Sequence, residues 1–241
     1  CEDAGWGLTK GYTGKATSLL NTMMDIEQSV QAPGSVSKEI VFQTKTIYSN
    51  IASPNYFFAH TLPYFCNATI LNNPPSDGSM SPSMKMVEMY YTKNGLPIDM
   101  DREWKYEECY TMGQVTDVTT YERVIPANTG VLKLHLDREP RFYANVAADR
   151  CYWQRGPAAN KNMLVQAYRG EAFGIHESFL LYSQPQNLCG YYVKKFSRSE
   201  VQTYQYTSNT GSLGDCRWPM IRLAELYLIQ AEAWNEYLSK P

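Results

Sequence analysis

The segment Arg217 to Leu238, RWPMIRLAELYLIQAEAWNEYL, constrains the fold more than any other part of this chain. Pro219 suits the first position of a helix, where its missing N–H costs nothing and its fixed φ is already helical. Good helix formers follow it without interruption. Arg222, Glu225, Glu232 and Glu236 make one polar stripe. Nearly everything else is apolar: Met220, Leu223, Ala224, Tyr227, Ala231, Trp234 and Leu238 on one side, Ile221, Leu226, Leu228, Ile229 and Ala233 on the others. An ordinary surface helix carries a single apolar stripe about 100° wide or a little more. This one requires neighbours on at least two sides. Small and large residues alternate at Ala224, Tyr227, Ala231 and Trp234, as they do in close-packed stacked helix pairs. A central helix of an ordinary domain would carry the same pattern.

The chain has 241 residues, enough for one large domain or two small ones. A net charge of −2 and a pI near 6.0 leave no basic footprint, which argues against a nucleic-acid partner. No apolar run approaches the ~18 residues of a membrane span. The opening CEDAGWGLTK is polar, so the signal of an exported protein is expected outside this stretch. Tyrosine is abundant, with 19 residues, while charged residues make up only 19%, below the usual quarter. That balance suits an uncharged, aromatic-rich surface that binds sugars or peptides, and equally a loop-rich domain packed with tyrosine. The six cysteines, Cys1, Cys66, Cys109, Cys151, Cys189 and Cys216, are scattered with no CxxC, and no histidine stands at metal-ligand spacing to them. One or two disulfides would fit an oxidising compartment. Buried small hydrophobes are the favoured reading.

Along the chain, Thr13 to Glu27 has the i, i+3, i+4, i+7 spacing of a short helix, followed by a Pro/Gly/Ser break at Gln31 to Ser37. Glu39 to Ile47 is β-rich and alternating, a predicted strand. Ala52 to Pro82 forms a long irregular stretch of the kind that faces ligands. Ser83 to Tyr91 is predicted to be a short helix ending near Asn94-Gly95, a left-handed cap signal. Leu96 to Tyr121 is polar and loop-like. Leu134 to Asp137 leads into a helical turn and then a strand, and Tyr191 to Phe196 gives another strand. A polar tract from Thr203 to Gly214 leads into the helix at Pro219.

Several of these segments, in order, resemble one family. They are Ser37-Lys-Glu-Ile-Val-Phe, Met86-Val-Glu-Met-Tyr with Asn94-Gly-Leu-Pro-Ile, Arg138-Glu-Pro-Arg-Phe-Tyr-Ala, Gly190-Tyr-Tyr-Val-Lys-Lys-Phe, and Trp218-Pro-Met-Ile-Arg-Leu-Ala-Glu-Leu-Tyr-Leu followed by Ala231-Glu-Ala. Each is weak alone, but five in this order and rough spacing are similar to the SusD/RagB outer-membrane lipoproteins, which capture nutrients, mostly glycans, for TonB-dependent transporters. The resemblance implies a mainly α fold with irregular loops and a few short strands, in which a tetratricopeptide-type helical scaffold carries a loop-rich lobe. Family members are roughly twice this length. The chain therefore resembles an interior or C-terminal-lobe fragment: a short helix at 13–27, the ligand lobe at 37–215, and a helix at 218–239 rejoining the scaffold. On that reading the Tyr227/Ala231/Trp234 face should be open to solvent within this stretch. The strand resembling the family's comes too soon after Cys1 for this residue to be the lipidated cysteine, so the anchor is expected elsewhere.

Catalytic signatures are absent from the sequence. The histidines His60, His135 and His176 share no motif, and there is no nucleophile elbow, P-loop or His-Glu-x-x-His. A glycosidase could use two carboxylates ~5–10 Å apart, but Glu107-Glu108 and Asp99/Asp101 lie in polar stretches and read as solvated loop charges. No enzyme activity, metal or cofactor is expected. Sugar binding calls for flat aromatic faces beside amides and charges. The candidate ligand contacts are Trp104 and Tyr106, next to Asp101-Arg102 and Glu107, and Tyr152, Trp153 and Arg155, beside an exposed Gly-Pro turn. Trp218 and Trp234 are expected to pack. Arg141, and Arg222 with Glu225, suit structural ion pairs. The resemblance implies a glycan ligand and a SusC-like TonB-dependent transporter as partners. The alternatives are a helical-repeat docking scaffold and a peptide or other non-sugar nutrient binder of the same family.

Overall fold

Pairing between segments far apart in sequence defines the architecture. In a computed structural model, the structure describes residues 7–8, 39–43, 47–48, 80–117, 119–121, 124–154, 163–168, 174, 187, 189–195, 215–216 and 219–238. The helix expected at 13–27, the break at 31–37, most of the irregular stretch at 52–82, the polar tract at 203–214, Arg155 and Trp218 lie outside the described residues. Ten short strands occur among those described, paired antiparallel as five two-stranded ribbons. Strand β1 (Ile40–Gln43) pairs with β10 (Pro219–Arg222), and β2 (Ile47–Tyr48) with β9 (Asp215–Cys216). The ribbon of β3 (Met112–Gln114) and β4 (Gly130–Leu132) is local. Strand β5 (Val146–Ala147) pairs with β8 (Tyr192–Val193), and β6 (Tyr152–Gln154) with β7 (Met163–Leu164).

The helix read from the end of the sequence begins later than expected. Pro219–Arg222 is extended and lies along β1, with Ile40 opposite Arg222 and Gln43 opposite Pro219, so the α-helix spans Leu223–Leu238. Local propensity loses here to strand pairing, which an edge proline tolerates. Arg222 accordingly reaches Glu39, at 3.7 Å, and Leu223 N–H donates to the Glu39 carbonyl at 2.8 Å. The expected Arg222–Glu225 pair is replaced by this cross-strand contact. Only Leu223 is buried in the helix, and every residue from Tyr227 to Leu238 is exposed. Trp234 is 54% exposed and packs edge-on against Tyr237, with ring centroids 5.9 Å apart. The Tyr227/Trp234 face is open, as expected. Stacked tetratricopeptide-type helix pairs are not among the described residues.

The core forms around Phe142, whose side chain is fully buried. The motif Arg138-Glu-Pro-Arg-Phe-Tyr places Pro140 at the start of a helix, Pro140–Asn145, which runs directly into β5 at Val146. That helical turn aims Phe142 and Tyr143 inward. Phe142 meets Tyr143 and Tyr90 edge-on at 5.2 and 5.7 Å and stacks on His135 at 6.3 Å, geometries the aromatic quadrupole favours. Arg138, 3% exposed, lays its guanidinium over the Phe142 ring at 4.8 Å and donates to the carbonyls of Leu134, Val87 and Tyr90 at 2.7–2.8 Å. Arg141 pairs with Glu139 through two contacts of 2.7 and 3.1 Å, the structural role expected of it. Cys109 and Cys151 are buried free thiols, and burial pushes Cys151 up to about 11.

The helix expected at Ser83 to Tyr91 spans Met84–Glu88, with the Ser83 hydroxyl accepting from Met86 N–H. It ends before Asn94-Gly95, and Gly95, at φ +73°, serves a separate turn in which Thr92 N–H donates to Leu96. A β-carbon at Gly95 would meet nothing within 4 Å, so alanine there costs only the left-handed backbone penalty. Gly95→Ala is expected to lower stability by about 1 kcal/mol. An unchanged urea midpoint would show that this turn readjusts freely.

Candidate functional site

The polar stretch expected to be a loop, Leu96 to Tyr121, contributes Ile98, Cys109, Val115 and Tyr121 to the core while exposing a face of aromatic and sulfur side chains. A buried carboxylate fixes its first turn. Asp101, 5% exposed, accepts from the Thr92 hydroxyl at 2.5 Å, from the Asn94 amide at 3.0 Å and from Glu103 N–H at 2.9 Å. These bonds, the Thr92 hydroxyl foremost, hold its carboxyl below the usual value. Asp101 is therefore a structural residue, not the solvated loop charge expected of it. Glu108 is bridged by Lys133 and by Lys105, the latter at 3.3 Å, and these partners also lower its pKa. A general acid needs a raised pKa, and both carboxylates are shifted the other way.

Trp104 is half-buried against the core, with its indole N–H donating to the Leu136 carbonyl at 3.0 Å and the Arg138 guanidinium 5.7 Å from its ring centroid. Tyr106 begins a single 3-10 turn, Tyr106–Glu108, and is 41% exposed. The turn closes by Cys109 N–H donating to the Tyr106 carbonyl, which carries the chain to Tyr110, 51% exposed. Tyr110 was not singled out from sequence, although Tyr-Glu-Glu-Cys-Tyr spaces the two phenols one turn apart. Its hydroxyl donates to the Glu88 carboxylate, which raises its pKa, with a smaller push from nearby Tyr106. Met112, 63% exposed, continues this face on β3.

Tyr152 belongs to a different ribbon. Its N–H donates to the Val124 carbonyl at 2.7 Å, and its own carbonyl accepts from the buried Lys194 ammonium at 3.0 Å. Trp153 is the central residue of β6. Trp104 and Tyr106 thus share one loop, and Tyr152 and Trp153 share another element. Among the described residues no cluster of histidine, cysteine or carboxylate side chains could hold a metal ion, and no helix is long and apolar enough to cross a membrane.

The sequence profile of the SusD family matches residues 38–239, and the chain belongs to that family. No curated protein is similar enough to match. Among solved structures, the protein called BT4246 superposes with a TM-score of 0.57 at 19% identity, covering 94% of this chain and 35% of that one. A SusD-like protein, BF3747, from Bacteroides fragilis NCTC 9343 gives 0.55 at 19% identity, covering 98% and 38%. The fold is SusD-like, and the chain spans little more than a third of the length of these neighbours.

Proposed function

We propose that this chain is the ligand-gathering lobe of a non-catalytic, cell-surface nutrient-binding protein. It holds an oligosaccharide or polysaccharide for a SusC-like TonB-dependent transporter in the outer membrane, and a lipid anchor ties the protein to that membrane. The observation that carries this reading is family membership over almost the whole chain. The exposed aromatic face of the Trp104–Met112 loop supports it, because sugar rings bind on flat apolar faces rimmed by polar groups. Trp104 and Tyr106 contribute contacts in that loop; Tyr152, Trp153 and Arg155 form a second contact region. No cofactor or metal takes part.

Shallow polar sites recover little free energy beyond their desolvation cost, so affinity per site is modest. The test is a glycan array and affinity-gel retardation with the full-length protein. Tyr106→Ala is expected to weaken retention about fivefold or more. Retention of peptides and of no glycan would favour the peptide-binding reading. Retention of neither would leave the helical-repeat docking scaffold.

A further inference from the structure

An exposed tyrosine ordinarily keeps its rotational freedom. Tyr110 does not: half of it faces solvent, yet its hydroxyl is bonded to Glu88 on the Met84–Glu88 helix, 22 residues earlier. The backbone beneath it is equally constrained. Cys109 is buried in the core, its carbonyl accepts from Leu134 N–H at 2.8 Å, and the Thr111 carbonyl accepts from Lys133 N–H at 2.9 Å. The ring is therefore an aromatic plate held at both ends and open on a face. A plate whose entropy is already lost in the free protein gives more of its stacking energy to a ligand.

Its surroundings indicate what the plate takes. Tyr106 lies one turn away on the same loop. On the helix side, Met84 stands one turn before Glu88, 41% exposed, with its sulfur fixed by the Tyr191 hydroxyl at 3.8 Å. The charges on these elements balance in number: Glu108 pairs with Lys105 and Lys133, Glu88 accepts from Tyr110, and the exposed Glu107 and Lys85 are of opposite sign. Such a surface offers apolar faces and hydrogen-bonding rims with no excess of positive charge to select an anionic ligand.

Resting on the glycan-binding reading above, we infer that Tyr110, locked by Glu88, is a stacking platform for an uncharged pyranose ring and that Tyr106 extends it along the glycan chain. Glu88 and Glu108 act as a tether and an ion-pair partner, not as ligands for cations or as acids. Tyr110→Phe keeps the plate and cuts the tether; Tyr110→Ala removes both.

Affinity gels with the full-length protein test this, run with neutral polysaccharides (a glucan, a mannan, a xylan, a galactan) and with polygalacturonate and chondroitin sulfate as acidic counterparts. The wild type is expected to be retarded by a neutral member. Tyr110→Ala should lose at least about tenfold in affinity, while Tyr110→Phe and Glu88→Ala should each lose a smaller, severalfold share. Tyr110 is exposed, so circular dichroism of the variants should match the wild type. Full retention by Tyr110→Ala, with loss on Tyr106→Ala, would overturn the platform and leave the glycan-binding reading standing. Retardation by the acidic polymers alone would overturn the assignment of a neutral ligand. A wild type retarded by none of the six would overturn both readings together.

Discussion

Replacing Arg138 by methionine is expected to unfold the lobe or leave it barely folded. The residue is 3% exposed, and its guanidinium, which also reaches the Tyr91 carbonyl at 3.4 Å, satisfies the carbonyls of Leu134, Val87 and Tyr90 at 2.7–2.8 Å, from two separate segments. Methionine restores the volume over Phe142 but leaves these acceptors buried without donors. Each such orphan costs about 1–3 kcal/mol, so a total loss of roughly 3–9 kcal/mol is expected, a large part of a typical domain's stability of about 5–15 kcal/mol. Arg138→Lys should recover only part of it, because a single ammonium cannot span the positions that a planar fork reaches. Urea unfolding followed by circular dichroism measures the loss. A methionine variant with a wild-type midpoint would mean that the carbonyls find other donors.

The second large effect is set by acid. His135 is 2% exposed, and burial, helped by the Arg138 charge, pushes its pKa from 6.5 down to about 3. Its Nε2 lies 3.0 Å from the Tyr191 hydroxyl, while that hydroxyl donates to the Met84 sulfur. The imidazole is accordingly assigned as the N–H donor to Tyr191, which leaves Nδ1 as a buried lone pair without a partner. Above pH 6.5 the ring is neutral in both folded and unfolded chains, and stability does not depend on it. As pH falls below 6.5 the unfolded chain takes up a proton that the folded chain refuses until about pH 3. Stability therefore drops across that window, at up to about 1.4 kcal/mol per pH unit. Between pH 7.5 and 5.0 the wild type should lose about 2 kcal/mol more than His135→Gln, whose amide can still donate to Tyr191. Equal losses in the two proteins would show that His135 is protonated inside the fold.

The family motifs were legible in the sequence because they are local devices. Arg138-Glu-Pro-Arg-Phe-Tyr-Ala-Asn-Val codes a proline-started helical turn and a β-branched exit, and the structure has Pro140–Asn145 followed by Val146–Ala147. The start of the last helix was misread because Pro219 to Arg222 satisfies helix signals locally, and only β1, far away in sequence, makes it a strand. The core contribution of Ile98, Val115 and Tyr121 was hidden for another reason. Isolated apolar residues on irregular backbone have no period to detect. At the candidate site, aromatic type and polar neighbours pointed to Trp104 and Tyr106, but the commitment of the Trp104 indole to Leu136 and of Tyr110 to Glu88 depends on contacts spanning 32 and 22 residues. Side-chain hydrogen bonds across such distances leave no pattern in the sequence.

The ribbon of β1 and β10 has a kinetic consequence. It joins Ile40 to Arg222 and so closes a loop of about 180 residues. For a flexible chain, that closure costs roughly 4–5 kcal/mol in entropy beyond a constant, more than a ribbon of four-residue strands returns by itself. The ribbon is therefore expected to form after the local β3–β4 ribbon and the Phe142 cluster have condensed and brought the two strands near each other. Closure of β1 on β10, like that of β2 on β9 across a loop of similar length, is expected late in folding, and pulse-labelled hydrogen exchange at Ile40–Gln43 checks it.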